Sequence, residues 1–181
     1  ANIANHVYAL RDMNILDMTN QYQAAFQNVF PDEKDALLSD AEWTEKIYGM
    51  THIIIAGSNY YQQKLVREDY SWIYDYFDAH IDEIISRLKY DVVIEVGLCY
   101  LLADKITNQY PLAKIKNYIL RRFDTNTKLI TEPWDQGQID KAEHRNILTI
   151  LFLKWTSQLH PGPDLFNSRQ YKQIMSPPPP L

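Results

Sequence analysis

Residues 91–104 read DVVIEVGLCYLLAD, a stretch that is apolar on every side of a helix except at Glu95. A helix with apolar side chains all round has to be enclosed by other parts of the protein. A membrane-spanning helix needs about 18 or more apolar residues, and no apolar run in the chain approaches that length. The stretch therefore predicts a buried central helix and not a membrane span.

The segments on either side of this stretch are amphipathic. Residues 69–88 and 111–123 carry apolar side chains three and four positions apart, which is the spacing of one helix face. Pro111 suits the first position of the second helix. No alternation of apolar and polar residues lasts long enough to predict a β-strand, so the predicted fold class is all-α. The inward residues are predicted to be Ile73, Phe77, Ile81, Ile84 and Leu88, then Leu112, Ile115, Ile119 and Phe123.

A second apolar stretch, KIYGMTHIIIAGSNYYQ, occupies residues 46–62. Ser39 and Glu42 have the spacing of a capping box, so the helix is expected to begin after Ser39 and to end near Gln62. Glycine costs about 1 kcal/mol against alanine inside a helix, and close packing has to offset that cost. We expect the glycines of the apolar stretches to let inner helices approach each other; these are Gly49, Gly57 and Gly97.

A third apolar stretch, ILTILFLKW, occupies residues 147–155, in a helix opened by the capping spacing of Asp140 and Glu143. Buried and amphipathic helices thus alternate along the chain. Neighbouring helices joined by short loops are antiparallel. The sequence therefore predicts antiparallel helical hairpins, with three buried inner helices and amphipathic outer helices.

The two ends of the chain differ from this central pattern. Residues 2–28 are predicted to be helical with a break near residues 12–14, and residues 124–138 to be irregular. We expect one all-helical domain over residues 1–175, which can also be the C-terminal part of a longer protein, and a proline-rich tail, SPPPPL, over residues 176–181. The predicted N-terminal apolar stripe is Ile15, Met18, Tyr22, Phe26 and Val29.

The stretches KIYGMTHIIIAGSNYY and DVVIEVGLCYLLAD resemble the inner helices of α/α-hairpin proteins, whose complete members close six inner and six outer helices into a toroid. The resemblance covers residues 40–160 and also extends to bacterial proteins catalogued only as domains of unknown function. It implies a bacterial helical-hairpin domain. Six or seven helices cannot close a ring of twelve, so a partial α/α toroid or a compact bundle of hairpins is expected.

Composition excludes several classes of function. The net charge of -5 is spread along the chain, and the only basic cluster is Lys114, Lys116, Arg121 and Arg122, so we expect no nucleic-acid partner. The single cysteine, Cys99, excludes an intramolecular disulfide. Metal-ligand spacings and cofactor signatures are not found, so neither a metal nor a cofactor is predicted. The start at Ala1 without a methionine fits a trimmed chain, a proteolytic piece or a mature protein after signal-peptide removal. The compartment, cytoplasmic or exported, therefore stays open.

Glu95 and His52 are the first candidates for a catalytic site. Both lie in predicted inner helices, where an ionisable group without a partner costs several kcal/mol. Burial would raise the pKa of Glu95, so that it could act as a general acid, and His52 could move protons near neutral pH. Asp91 lies one helical turn before Glu95 and offers a second carboxylate. The alternative is a purely structural contact of Glu95 and His52 with each other, with Thr51 or Ser58, or with a tyrosine hydroxyl.

Aromatic side chains form the second group of candidates. Tyr70, Trp72 and Tyr74 could form a stacking surface for a sugar or a partner chain, although burial under a neighbouring element explains them as well. Trp134 and Asp135 lie in the long segment before the last helix, and such segments often carry function. A surface loop held in place by Trp134 is the structural alternative.

Two functions follow from these candidates. The preferred one is a protein-interaction or self-association module that binds a protein partner, or another copy of itself, through aromatic and apolar surfaces. The alternative is a hydrolase of the α/α-toroid type that acts on a carbohydrate or related polymer. In that enzyme Glu95 is the acid, Asp91 or Asp135 is the second carboxylate, and His52 assists. Glycosidases need the two carboxyl groups roughly 5 to 9.5 Å apart across a cleft.

Overall fold

The computed structural model of the protein describes residues 2–132 and 139–162, and these residues are mainly helical. The prediction of an all-α fold is confirmed, with one small addition, a two-stranded antiparallel hairpin in the segment that was expected to be irregular. The α-helices are α1 (Asn2–Asp12), α2 (Thr19–Val29), α3 (Asp40–Gly57), α4 (Ser71–Arg87), α5 (Tyr90–Leu102), α6 (Tyr110–Arg122) and α7 (Ile139–Leu153). The strands are β1 (Phe123–Asp124) and β2 (Leu129–Ile130), and short 3-10 helices occupy Asp32–Leu37 and Arg67–Tyr70.

Helix α5 is the centre of the fold. Every residue from Val92 to Tyr100 is buried, because α5 contacts α3, α4, α6 and α7. Helix α3 also has a mostly buried surface, with α1 packed against it. The prediction that residues 91–104 form an enclosed helix is confirmed, since four neighbouring helices cover its apolar sides.

Helix α3 begins as predicted and ends earlier than predicted. The hydroxyl of Ser39 accepts from the Glu42 backbone N–H, and Glu42 Oε2 accepts from the Ser39 N–H at 2.8 Å. The helix ends at Gly57 instead of Gln62, because Asn59, Tyr60 and Tyr61 all have positive φ angles. Three left-handed residues in succession cannot continue a right-handed helix.

The predicted break after α1 is confirmed, while the apolar stripe beside it is only partly correct. Helix α1 ends at Asp12, and Tyr22 and Phe26 of α2 pack into the core. Ile15, Met18 and Val29 are exposed. The first two lie between α1 and α2, where the helical spacing that defined the stripe does not apply, and the third is the last residue of α2.

Helix α7 is not enclosed, which corrects the prediction of three inner helices. Leu148 and Phe152 are buried against the core, but Ile147 and Ile150 are 54% and 62% exposed. Leu153 is 42% exposed. The apolar stretch 147–155 therefore has one packed face and one open face, and within residues 2–132 and 139–162 the enclosed helices are α3 and α5. The partial toroid thus stays a prediction.

Phe123, predicted to face inward, is also exposed, because it lies in β1 beyond the end of α6.

The glycines of α3 and α5 admit aromatic rings and not neighbouring inner helices, which corrects a second prediction. A Cβ atom on Gly49 would lie 2.4 Å from Cε2 of Phe26 in α2. A Cβ atom on Gly97 would lie 2.7 Å from Cε2 of Phe152 in α7, with Ile115 3.1 Å away. Gly57 similarly faces the hydroxyl of Tyr70. Aromatic rings from α2, from α7 and from the 3-10 helix Arg67–Tyr70 thus pack at positions without a side chain.

We expect Gly97→Ala to lower the free energy of unfolding by about 1 to 3 kcal/mol, because the added methyl group overlaps Phe152 and Ile115. This is the net change. The overlap itself costs more, because it also offsets the gain of about 1 kcal/mol from the better helix propensity of alanine. Urea unfolding measures the difference. The double variant Gly97→Ala/Phe152→Leu should lose less stability relative to Phe152→Leu alone than Gly97→Ala loses relative to wild type. A single variant as stable as wild type would contradict this account.

Candidate functional site

Glu95 and His52 meet at the contact between α3 and α5. The hydroxyl of Thr51 donates to Glu95 Oε2 at 2.9 Å, and His52 Nε2 lies 3.9 Å from the same oxygen. His52 Nδ1 lies 2.9 Å from Asn5 Oδ1 of α1. Because an amide oxygen can only accept, we assign the imidazole proton to Nδ1, so that the Nε2 lone pair faces Glu95. Within the described part of the chain, Nε2 has no hydrogen-bond partner.

Burial favours the neutral form of both groups. It raises the pKa of Glu95 to about 7, although the hydrogen bond from Thr51 acts in the opposite direction. Burial also lowers the pKa of His52 to about 4. Between these two values Glu95 is mostly protonated and His52 is mostly neutral, so the two side chains are neighbours without forming an ion pair.

Glu95 has the pKa of a general acid but little access to a substrate. Glu95 is only 3% exposed. The ring of Tyr48 also packs edge-on against the neighbouring His52, with 4.5 Å between the ring centroids. Nearby, burial raises the pKa of the Cys99 thiol well above its ordinary value, and the thiol lies 3.7 Å from the Thr51 carbonyl oxygen. The thiol therefore stays protonated and is not a nucleophile.

Asp91, the expected second carboxylate, is held by α7. Its Oδ2 lies 3.1 Å from Nδ1 of His144, and its Oδ1 lies 3.5 Å from Nε of Arg145. Asp91 lines a cleft of about 170 Å³ together with Lys89, Tyr90, Glu132 and Arg145. The negative charge of Asp91 contributes to raising the pKa of Glu95. The two carboxylates nevertheless have different hydrogen-bond partners and different surroundings.

The predicted aromatic surface is divided by the fold. Tyr70 and Tyr74 are buried, and the Tyr74 hydroxyl donates to the carbonyl oxygen of Cys99 at 3.0 Å. Trp72 is half-buried and remains at the surface, where its Nε1 donates to Gln23 Oε1 at 3.3 Å. Trp134 and Asp135 lie outside the described residues. Of the five predicted binding residues, Trp72 is therefore the one that the structure places at a described surface.

Sequence reasoning missed a buried lysine. The side chain of Lys46 in α3 is 0% exposed and donates to Asp32 Oδ1 at 2.7 Å and to Asp35 Oδ1 at 2.6 Å. Its Nζ also lies 4.2 Å from the centroid of the Tyr76 ring, whose hydroxyl donates to Asp35 Oδ2 at 2.6 Å. The only signal in the sequence was a lysine inside an apolar helix that follows the acidic segment DEKD, which also describes an ordinary surface lysine.

Sequence reasoning also missed the open face of α7. At 3.6 residues per turn, four of its exposed residues fall within about 60° of each other around the helix. The Lys154 N–H donates to the Ile150 carbonyl at 2.9 Å, so the helical register extends to Lys154. All four are exposed. They are Glu143, Ile147, Ile150 and Lys154, and we call them the α7 stripe.

Within residues 2–132 and 139–162, no cluster of His, Cys, Asp or Glu side chains is arranged to hold a metal ion. Among the same residues, none of the helices combines the length and the apolar character needed to cross a membrane.

Residues 1–178 match a family model whose description is Domain of unknown function (DUF3541). No curated protein and no solved structure matches the chain.

Proposed function

The chain belongs to the family described as Domain of unknown function (DUF3541), and since that description names no activity, we propose from the geometry that the protein is a self-association module. Two copies pair through the α7 stripe in an antiparallel homodimer. The observation that carries this proposal is the order of the residues along the stripe, acid–Ile–Ile–base.

The stripe matches itself under a two-fold rotation. The midpoint between Glu143 and Lys154 coincides with the midpoint between Ile147 and Ile150. A two-fold axis through that point, perpendicular to α7, brings Glu143 beside Lys154 of the partner subunit and Ile147 beside Ile150 of the partner subunit. Parallel packing would instead bring like charges together. A two-fold interface uses the same surface on both subunits, which is what this pattern supplies.

Burial of the isoleucines supplies a driving force for the pairing. Ile147 and Ile150 are each more than half exposed, and burying apolar surface yields about 25 cal/mol per Å². Charged residues at the two ends of the stripe add little affinity at a solvent-exposed rim but fix the antiparallel direction. This division of roles predicts that isoleucine substitutions abolish the dimer and that charge substitutions control its orientation.

The hydrolase alternative is supported less well by the same geometry. A glycosidase acid has to contact the glycosidic oxygen, whereas Glu95 is almost entirely buried. Asp91 faces His144 and Arg145 instead of a cleft shared with Glu95. We therefore propose the self-association module as the function.

Light scattering coupled to size-exclusion chromatography tests the proposal on the full chain. We expect wild type to be a dimer at about 100 μM, a concentration at which even an interface of micromolar affinity is largely occupied. Ile150→Glu should be a monomer with an unchanged circular dichroism spectrum. The matched control is Leu37→Glu, because Leu37 is 80% exposed outside the stripe, and this variant should remain a dimer. A monomeric wild type would overturn the proposal.

A charge swap tests the antiparallel direction. Glu143→Lys alone and Lys154→Glu alone should each weaken the dimer, because each places like charges together at both ends of the stripe. An equimolar mixture of the two variants should restore association as a heterodimer, since both ends then pair opposite charges. The double variant should restore the homodimer. Failure of the mixture to associate more tightly than either variant alone would rule out this arrangement.

A further inference from the structure

We propose that the pocket between α2 and the start of α4 binds a neutral saccharide. This pocket of about 440 Å³ lies outside the α7 stripe and outside the Glu95 and His52 contact, and neither uses it. Its volume falls within the range of small-molecule sites. The residues of α2 that line it are Asn20, Gln23, Ala24, Gln27 and Asn28, and Asp69 and Trp72 complete the lining.

One face of α2 supplies four carboxamides and no charge. The lining positions are spaced three and four residues apart, so they form a single helix face, and that face is polar although α2 also packs against the core. Each carboxamide both donates and accepts hydrogen bonds. A sugar hydroxyl also does both, so the set of groups matches a polyhydroxylated ligand.

Ala24 has the shortest side chain on the polar face. It shares the helix face of Gln23 and Gln27, and among the described residues of the lining it is the one short apolar side chain. A ligand can therefore enter beside its methyl group and contact the amides on both sides. A larger side chain at this position would fill the space.

Gln23 is held in place by two hydrogen bonds to neighbouring side chains. Its Nε2 donates to the Tyr8 hydroxyl at 3.1 Å, and its Oε1 accepts from Trp72 Nε1 at 3.3 Å. Each contact leaves the amide with further hydrogen-bonding capacity, because NH₂ has a second hydrogen and the oxygen has a second lone pair. A fixed amide loses less side-chain entropy when a ligand binds.

Trp72 and Asp69 define the class of ligand. The half-buried indole of Trp72 offers an apolar, π-rich surface suited to the C–H face of a sugar ring. Asp69 is exposed at the pocket, and none of the described residues that line it is basic, so among them a phosphate or carboxylate group would meet only negative charge. The lining therefore selects a neutral sugar over an anionic one.

Isothermal titration calorimetry on the full chain tests the site with four neutral trisaccharides, built from glucose, mannose, galactose and N-acetylglucosamine units. The trimer of galacturonic acid is the anionic comparison. We expect at least one neutral trimer to bind with a dissociation constant of about 1 mM or tighter, and more tightly than the anionic trimer. Binding of none of the four, or tighter binding of the anionic trimer, would overturn the proposal.

Two matched pairs of variants place the binding in this pocket. Ala24→Leu should weaken binding at least about tenfold, while Ala25→Leu, the same change at an exposed position of α2 outside the lining, should leave it unchanged. Gln27→Leu should weaken binding and Gln21→Leu should not. The second pair keeps the test decisive if Ala24→Leu fails to fold. If the two variants of each pair changed the dissociation constant equally, the saccharide would not bind in this pocket.

Discussion

Replacement of Asp35 by alanine is expected to lower the free energy of unfolding by about 3 kcal/mol. The reason is that Lys46, whose side chain is 0% exposed, would lose one of its two carboxylate partners. Breaking a buried ion pair from one side typically costs about 3 to 5 kcal/mol. The lower value is expected here because Asp32 would remain, although its side chain is 67% exposed.

The same variant also removes the acceptor of the Tyr76 hydroxyl. That hydroxyl donates to Asp35 Oδ2 and accepts from Trp43 Nε1 at 2.9 Å, so it would lose its acceptor and keep its donor. An unsatisfied buried hydroxyl adds a cost of about 1 kcal/mol or more. Tyr76→Phe should therefore reduce the effect of Asp35→Ala in a double-mutant cycle, since the hydroxyl is then absent in both members.

Urea unfolding with two comparison variants distinguishes this account from a general effect of removing acidic charge. Glu33 is an exposed acid in the same 3-10 helix, and Glu33→Ala should change stability by no more than about 0.5 kcal/mol. Asp32→Ala should fall between the two. If Asp35→Ala and Glu33→Ala were equally stable, the Lys46 cluster would not be a stabilising element of the fold.

Glu95→Gln and His52→Gln are expected to give opposite dependences of stability on pH. The folded pKa of Glu95, about 7, lies above its ordinary value of 4.5. The contribution of Glu95 to the free energy of unfolding is therefore complete below pH 4.5 and is lost as the pH rises through 7. The folded pKa of His52, about 4, lies below its ordinary value of 6.5. The contribution of His52 to the free energy of unfolding is complete above pH 6.5 and is lost as the pH falls through 4.

In the wild-type protein these two contributions largely cancel between pH 5 and pH 8. Removing the carboxyl group in Glu95→Gln leaves His52, so this variant should be more stable at pH 8 than at pH 5 by about 2 kcal/mol. Removing the imidazole in His52→Gln leaves Glu95, and this variant should be more stable at pH 5 than at pH 8 by about 2 to 3 kcal/mol. In the Glu95→Gln variant the new amide oxygen can still accept from the Thr51 hydroxyl.

Guanidinium unfolding at a series of pH values measures the two slopes. His6→Gln is the control, because His6 is an exposed histidine one residue from Asn5, and its slope should equal that of wild type. Slopes of the same sign in the Glu95 and His52 variants would show that the two groups are not buried in their neutral forms. In that case the site would be accessible to solvent, and the hydrolase alternative would gain support.

Much of the helical architecture could be predicted from the sequence. The apolar stretch around Glu95 predicted the central helix, and the spacing of Ser39 and Glu42 located the start of α3, because both features depend on residues near each other in the chain. The end of α3 could not be located in this way. It is set by three left-handed residues at positions 59–61, none of which is a glycine.

The candidate site was only half predictable. The sequence identified Glu95 and His52 as costly polar groups and named Thr51 among their partners, but it did not indicate the contact of His52 with Asn5, which is 47 positions away in the chain. Lys46 was overlooked because its burial is produced by a separate segment that folds over it. The pocket near Trp72 was anticipated only through the tryptophan, since the amides of α2 become a site only beside it.

The sequence by itself determined which segments are helices and which of their faces are apolar, because helical periodicity and capping are local properties. The tertiary structure decided what covers each apolar face. Within the described residues, helix α5 is covered on all its apolar sides, whereas the apolar stretch of α7 is covered on one. Periodicity shows which face of a helix is apolar, but it does not show whether a neighbouring segment packs against that face. The open stripe on α7 and the buried ion pairs of Lys46 therefore depend on how distant segments pack together.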